Sequence, residues 1–223
     1  MQKLFGLFNE GRQIVYRKDD VVIRPGDVPS GLYYITSGWV KVYSFCKDGE
    51  PNIIMTLCPG DIFPMAWAVS GGIRDVGFAA LGNTKVQRIS LEQFIKAAAE
   101  DLTIMQEAAE ALAHHFYVLT TELDNLQYRS AREKVVFRLI FLAKRLGQQN
   151  HSNVDSVVIN TRVTNDYIAR STSITRETAS RELSRLNRRQ LIHSLEGQIL
   201  IPSLINLRNE ISHNFNLKTL SLD

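Results

Sequence analysis

Residues Val163 to Ile192 read VTNDYIARSTSITRETASRELSRLNRRQLI. The stretch predicts two helices joined by a tight turn. Thr164 is placed to cap a short first helix, Asn165–Ser171. A polar turn at Thr172–Ser173 follows, and Thr175 is placed to cap a second helix reaching about Arg189. On a wheel of about 100° per residue, Arg176, Glu177, Ser180, Arg181, Ser184, Arg185 and Arg188 share one half of that second helix. Ala179, Leu183 and Leu186 share the other. One stripe is set to pack inward while arginines, serines and a glutamate face out.

That outward face has a chemical meaning. Arginine can donate two hydrogen bonds to guanine O6 and N7, glutamate can accept from cytosine N4, and serine can meet either kind of base edge. A helix fits the major groove with its N-terminal residues nearest the bases. Thr175, Arg176, Glu177, Ser180 and Arg181 stand in or just before the first two turns. Charged helix faces are usually no more than solvated surface. The short preceding helix, the turn spacing and the further basic residues Arg185, Arg188 and Arg189 favour a DNA-reading role.

The charge distribution points the same way. Residues 1–130 hold 12 Lys/Arg against 15 Asp/Glu, a balance of −3, whereas residues 131–223 hold 14 against 8, a balance of +6. The basic excess of the 223-residue chain therefore lies in the half that carries the two helices, as a phosphate-binding surface requires.

Residues 20 to 90 are cut by turn signals at Pro25-Gly26-Asp27, Ser37-Gly38, Lys47-Asp48-Gly49, Pro59-Gly60-Asp61, Gly71-Gly72 and Gly82-Asn83. Between them lie β-rich runs at Val21–Ile23, Leu32–Thr36, Trp39–Phe45, Ile53–Leu57, Val76–Leu81 and Thr84–Ile89. Short strands at roughly ten-residue spacing predict an antiparallel sandwich or roll. A short helix, Leu91–Ala99, and a longer one, about Leu102–Tyr128, follow. Apolar residues in the longer helix recur at Met105, Ala109, Leu112, Phe116, Leu119, Leu123 and Leu126, in steps of four and three. So narrow a seam predicts a partner helix, most simply from a two-fold homodimer. Burial against the chain's own strands is the competing reading. Ser130-Ala131-Arg132-Glu133 reads as a capping box that opens a helix Ala131–Leu146, closed by Gly147. Gln148–Ser156 reads as a polar loop. Val157–Asn160 and Ile199–Pro202 are candidate wing strands, and Leu204–Phe215 a candidate tail helix.

Taken together, Thr164 followed by Arg176-Glu177-Thr178-Ala179-Ser180-Arg181 resembles the DNA-reading helix-turn-helix of the cyclic-AMP receptor protein/fumarate–nitrate regulator (CRP/FNR) family. The string R-P-G-D-x3-G-L-Y-Y-I-x2-G from Arg24 to Gly38 is similar to the opening of that family's cyclic-nucleotide-binding β-roll, and Pro59-Gly60-Asp61-Ile62-Phe63 to its next glycine corner. The resemblance implies an α+β chain in three parts. These are an N-terminal antiparallel β-roll sensor (1–100), a dimerisation helix and hinge (101–129) that pairs through Leu112, Phe116, Leu119, Leu123 and Leu126, and a C-terminal winged helix-turn-helix (130–223). It also implies a homodimeric, cytoplasmic transcription regulator whose partners are double-stranded DNA and RNA polymerase. Glu177 and Arg181 match the family residues that read a G·C pair within a TGA-like core. Arg176 looks like the branch that favours TGTGA, and Ser180 like the branch that favours TTGAT, so the outer bases stay open.

The family's nucleotide pocket fits poorly onto this chain. Its phosphate-binding arginine falls on Arg74. Its ribose-gripping glutamate falls on Pro64, which lacks both an acceptor side chain and an N–H. Its phosphate-binding serine falls on Asp75, whose charge opposes a phosphate; two like charges at ~4 Å cost about 4 kcal/mol at intermediate dielectric. Its adenine-contacting pair falls on Leu119 and Thr120. What remains, with Phe63, Met65, Trp67 and Phe78, is an apolar, aromatic lining. The expectation is an effector other than cyclic AMP, or a pocket filled by its own side chains and a protein active without an effector. Two alternatives are a cyclic-nucleotide response through an altered pocket and a redox response through Cys46 and Cys58.

Other classes find little support. The sequence has no Ser/His/Asp constellation, paired catalytic carboxylates, phosphate loop or metal-ligand spacing, so no enzyme, metal or cofactor is expected. His114 and His115 beside the seam read as surface or packing residues. Two cysteines make neither a zinc motif nor a disulfide framework. Met1–Phe8 is too short an apolar run for a signal peptide, and no apolar run is long enough for a membrane span.

Overall fold

The computed structural model describes residues 2–47, 49–73, 75–127, 130–150, 153–159, 163–195 and 198–211. The chain divides into two compact units, Met1–Glu122 and Leu123–Asp223, with the division inside the long helix. Arg129, at the expected hinge, lies outside the described residues.

The first unit opens with helix α1 (Gln2–Gly6) and a 3-10 turn, Leu7–Glu10. Eight strands follow: β1 (Arg12–Tyr16), β2 (Val21–Ile23), β3 (Leu32–Ser37), β4 (Val40–Phe45), β5 (Pro51–Leu57), β6 (Ile62–Phe63), β7 (Gly77–Ala80) and β8 (Thr84–Ile89). They form two antiparallel sheets, ordered β1-β8-β3-β6 and β2-β7-β4-β5. The sheets meet through aromatic rings. Phe63 stacks on Tyr33 within the first sheet, centroids 5.2 Å apart, and on Phe78 of the second at 5.0 Å. The expected strands lie within a residue or two of those observed, but β1 and β6 are additions. β1 is a largely exposed edge strand without a regular apolar alternation, and β6 spans only two residues. Gly38 shows why one turn needs glycine: φ is +83°, and a Cβ there would lie 2.4 Å from the Asn83 carbonyl oxygen.

Helix α2 (Met65–Ser70) lies between β6 and β7. Helix α3 (Leu91–Glu100) begins with a reciprocal cap, the Ser90 hydroxyl accepting from the Gln93 amide and the Gln93 side chain accepting from the Ser90 amide. The long helix α4 (Leu102–Gln127) follows. Its core-facing stripe is not the seam read from the sequence but its neighbour. Ile104, Ala108, Ala111 and Val118 are buried, and His115 continues the same four–three spacing. One position along, Met105, Phe116 and Leu123 keep 42%, 69% and 58% of their surface exposed, and Ala109 is exposed too. Leu112 and Leu119 are half-buried, and the side chain of Leu126 lies outside the described residues. The helix thus has two adjacent apolar stripes, one used by its own unit and one left largely open.

The second unit is built around helix α5 (Ala131–Leu146), on which Val135 to Ala143 are buried without a break. The reciprocal Ser130–Glu133 cap is formed, with donor–acceptor distances of 3.3 and 3.0 Å. Gly147 ends the helix in an extended conformation (φ −79°), not a left-handed one. It is needed because a Cβ would fall 2.1 Å from the Ala143 carbonyl and 2.2 Å from Val157 Cγ1. The residues read as a polar loop are in part strands β9 (Gly147–Asn150) and the start of β10 (Asn153–Ile159). Gly-Gln-Gln-Asn has no intrinsic strand character, and its pairing with β10 imposes the conformation. Strands β11 (His193–Leu195) and β12 (Gln198–Ile201) complete a sheet ordered β11-β12-β10-β9. Between β10 and β11 lie α6 (Asn165–Thr172) and α7 (Arg176–Arg188). Helix α8 (Leu204–Arg208) is shorter than expected, though Leu207 and Ile211 after it are buried. Phe215 lies outside the described residues.

Candidate nucleic-acid interface and sensor cavity

Local hydrogen bonds set the α6–turn–α7 geometry. The Thr164 hydroxyl accepts from the Tyr167 amide at 3.1 Å, fixing the start of α6. Tyr167, Ile168, Ala169, Ser171 and Thr172 are buried. The chain turns at Ser173, which adopts a left-handed conformation (φ +52°), and the Ile174 amide bonds the Ala169 carbonyl. Thr175 then caps α7, its hydroxyl accepting from the Thr178 amide at 3.2 Å. A buried cation holds the pair from below: Arg138 of α5 donates to the Ser171 carbonyl at 2.6 Å and lies over the Phe141 ring.

On α7, Ala179 and Leu186 are buried, and Thr175, Arg176, Glu177, Arg181, Ser184, Arg185 and Arg188 are exposed. Ser180 is half-buried between these faces. The wheel placed Leu183 in the inner stripe, but the buried residue beside Ala179 and Leu186 is Glu182, and Leu183 is half-buried. Positions 179, 182 and 186 follow the three–four spacing of a helix face, so geometry overrides the glutamate's polarity. Its carboxylate lies 3.9 Å from Arg181 Nε and 4.0 Å from Arg185 Nη1, flanked by two of the outward arginines. Arg189, one of the basic residues that favoured a DNA-reading role, is bonded to Glu210, which also pairs with Arg132 at 3.2 Å. Gln190 follows in a left-handed conformation (φ +57°) and ends the helix.

The first unit carries a partly open cavity of about 490 Å³ lined by the second sheet, by β6 and α2, and by α4. Phe63, Pro64, Met65, Trp67, Phe78 and Leu119 all line it, as expected of a pocket in this position. Leu112, His115 and Phe116 line it from α4 and were not read as pocket residues. Two expected members are elsewhere. Asp75 sits in the exposed bend before β7, near Gly26, where a Cβ would meet its Oδ1 at 3.6 Å. Thr120 faces outward on α4 and donates to the Tyr117 carbonyl at 2.9 Å. Arg74 lies outside the described residues.

His115 joins α4 to the glycine corner after β5. Its Nε2 is 3.5 Å from Asp61 Oδ1, and Asp61 Oδ2 accepts from the Cys58 amide at 2.7 Å and the Cys58 thiol at 3.3 Å. Asp61 is buried. Both cysteines are free. They flank opposite ends of the β4–β5 hairpin, Cys46 beyond the Phe45–Pro51 pair and Cys58 beyond the Val40–Leu57 pair. At about 3.4 Å per residue, some 20 Å of paired strand separates them, whereas a disulfide needs Cα atoms within about 7 Å. The two cannot join within one chain unless the hairpin unpairs.

Comparison with known proteins matches two family models to the chain. A cyclic nucleotide-binding domain model matches residues 13–101, and a Crp-like helix-turn-helix domain model matches residues 133–210. The chain belongs to the CRP/FNR family of DNA-binding transcription regulators. It is 21% identical over 199 residues to the global nitrogen regulator of Nostoc, covering 88% of each chain. It is 24% identical over 139 residues to the cyclic AMP receptor protein of Thermus thermophilus, covering 62% of this chain and 61% of that one. The solved structure of FixK2 from Bradyrhizobium japonicum superposes with a TM-score of 0.77 at 22% identity, covering 92% of this chain and 99% of that one. The α+β architecture of β-roll, long helix and C-terminal helix-turn-helix is thus the CRP/FNR fold.

Most of the described cavity lining is apolar. It contains no lysine or arginine among the described residues, its ionisable members being Asp27 and His115. Pro64 starts α2 and brings no N–H donor. No helix among the described residues is long and apolar enough to cross a membrane.

Proposed function

We propose that this CRP/FNR-family protein acts as a homodimer that reads a palindromic DNA site and senses something other than cyclic AMP. The observation that carries the DNA reading is the face of α7. Arg176, Glu177 and Arg181 project from its first two turns, over a stripe anchored by Ala179 and Leu186. Glu177 and Arg181 read a G·C pair in the inner half-site, and Arg176 and Ser180 set outer bases of TGTGA or TTGAT type. Arg185 and Arg188 hold phosphates, which position the protein without specifying sequence. Two such heads related by a two-fold axis enter successive major grooves about 34 Å apart.

Dimerisation is supported by the open stripe of α4, where Met105, Phe116 and Leu123 stay exposed while the adjacent stripe is used internally. The effector reading is supported by the apolar cavity and by Pro64, which lines it at the family's ribose-gripping position. The protein acts in the cytoplasm, where DNA and RNA polymerase are available. An intrachain Cys46–Cys58 switch is disfavoured by their places at opposite ends of one hairpin.

Selection of bound DNA from a random pool with purified protein tests the reading. The expected product is a palindrome with a G·C pair at the inner half-site position. Arg181→Ala should cost about 1–3 kcal/mol on that site and relax the choice of that base pair. Equal losses on specific and random DNA would make Arg181 a phosphate contact and overturn its assignment.

A further inference from the structure

We infer that the β-roll cavity is a binding site for a neutral, largely apolar, drug-sized molecule carrying one hydrogen-bonding group. This deepens the reading above that the sensor responds to something other than a cyclic nucleotide, and rests on it.

Four features of the first unit lead to that ligand class. The cavity has a volume of about 490 Å³, within the range that encloses drug-sized ligands. Its walls come from three directions: Val42, Met55 and Leu57 on β4 and β5, Phe63 and Trp67 around β6 and α2, and Leu112 and Phe116 on α4. All present carbon or aromatic surface. An ionised phosphate placed there would lose its hydration, and the described lining offers no lysine or arginine to replace it.

The polar group from α4 is His115. Its imidazole lies 3.5 Å from Asp61, which is itself held by the Cys58 amide and thiol. The ring thus sits beside a buried carboxylate and lines the cavity, and an imidazole can both donate and accept a hydrogen bond. Asp27, the other ionisable lining residue, is exposed and repels anions. A hydroxyl, amine or carbonyl on an apolar body matches this lining better than a phosphate or carboxylate does.

Fluorescence titration of the full-length protein with N-phenyl-1-naphthylamine, a neutral apolar amine that brightens in apolar surroundings, tests the site. Saturable binding of one probe per chain is expected. In a Trp39→Phe variant, Trp67 is the sole tryptophan, and its emission should fall with the same midpoint. Ala66→Phe and Val76→Phe each add bulk to the lining, and each should weaken binding about tenfold or more, while a thermal melt shows whether the variant is folded. Cyclic AMP at millimolar concentration should leave the probe in place. Absence of saturation, unchanged affinity in both folded filling variants, or displacement by micromolar cyclic AMP that Arg74→Ala abolishes would each overturn the proposal. The titration contains no DNA. A failed random-pool selection would therefore count against the DNA reading, and a failed titration against the apolar site.

Discussion

Truncating Phe116 tests whether the open stripe of α4 is a dimer seam. Phe116 keeps 69% of its surface exposed in the single chain. A phenylalanine side chain presents roughly 200 Å², so about 140 Å² is left for a partner to cover. At about 25 cal/mol per Å², covering it is worth ~3.5 kcal/mol per copy. Alanine retains part of that, leaving a loss of about 2–3 kcal/mol per copy, and a two-fold interface counts the residue twice. Incomplete cover reduces the total, so Phe116→Ala should weaken the dimer by about 3–5 kcal/mol, or roughly two to three and a half orders of magnitude in Kd. Sedimentation velocity across a concentration series measures this directly. Phe116 also lines the cavity, so Leu123→Ala serves as a second probe: Leu123 is 58% exposed, lies on the same stripe and does not line the cavity. It should weaken the dimer in the same direction. Tyr117 is 41% exposed but one position off the stripe, and Tyr117→Ala should change Kd by no more than about threefold. A dimer that survives both Phe116→Ala and Leu123→Ala, or loses as much with Tyr117→Ala, would refute the assignment of the seam.

Two further outcomes follow from single interactions. Thr175→Ala removes the hydroxyl that accepts from the Thr178 amide, and should destabilise the DNA-reading unit by about 1 kcal/mol in urea unfolding. The docking of α1 should depend on acid pH. The Lys3 ammonium, and next Thr103, hold the Asp101 carboxyl down at about 2, and the Leu4 amide, bonded at 2.7 Å, lowers that of Glu107. Both groups are more acidic folded than unfolded, so their contribution is complete above the ordinary carboxylate range and is lost as pH falls from about 4.5 toward 2. The protection factor of the Leu4 amide, its exchange rate relative to the intrinsic rate at each pH, should fall over that window, and Glu107→Gln should remove much of the pH dependence.

What the sequence made legible was local or periodic. Thr164, Ser130 and Thr175 could be placed as caps because each needs only an amide two or three residues ahead. The four–three repeat of α4 was legible for the same reason. Its second stripe, Ile104–Ala108–Ala111–His115–Val118, carries the same spacing one residue earlier, but two alanines and a histidine mask it as an apolar pattern. His115 and Asp61 were therefore missed as a pair: they are far apart in sequence, and their approach depends on the sheet-to-helix packing. Glu182 was left off both faces of the wheel, although 179–182–186 is a regular helix face. Cavity volume depends on how rings from three elements meet, and no spacing rule carries that information.

The exposed stripe and the cavity share side chains, and this constrains how sensing could reach DNA. Leu112, Phe116 and Leu119 belong to the four–three seam and also line the cavity. A molecule filling the cavity touches the same leucines and phenylalanine that a partner helix would grip, so ligand contact and dimer packing compete for, or cooperate through, three side chains on one helix. A ligand can shift a two-state equilibrium only by its difference in affinity for the two states. If those three residues adopt different rotamers in two dimer geometries, the lining differs between them and the affinity differs with it. Helix α4 ends at Gln127, and α5, the central helix of the second unit, begins at Ala131. Separating the two uses requires changes on the seam that spare the cavity. Leu123→Ala alters dimer packing but not the lining, so the intrinsic affinity of one chain for the apolar probe should persist while its dependence on protein concentration changes. Coupling would appear as a probe midpoint that follows the monomer–dimer equilibrium, and independence as a midpoint that ignores it.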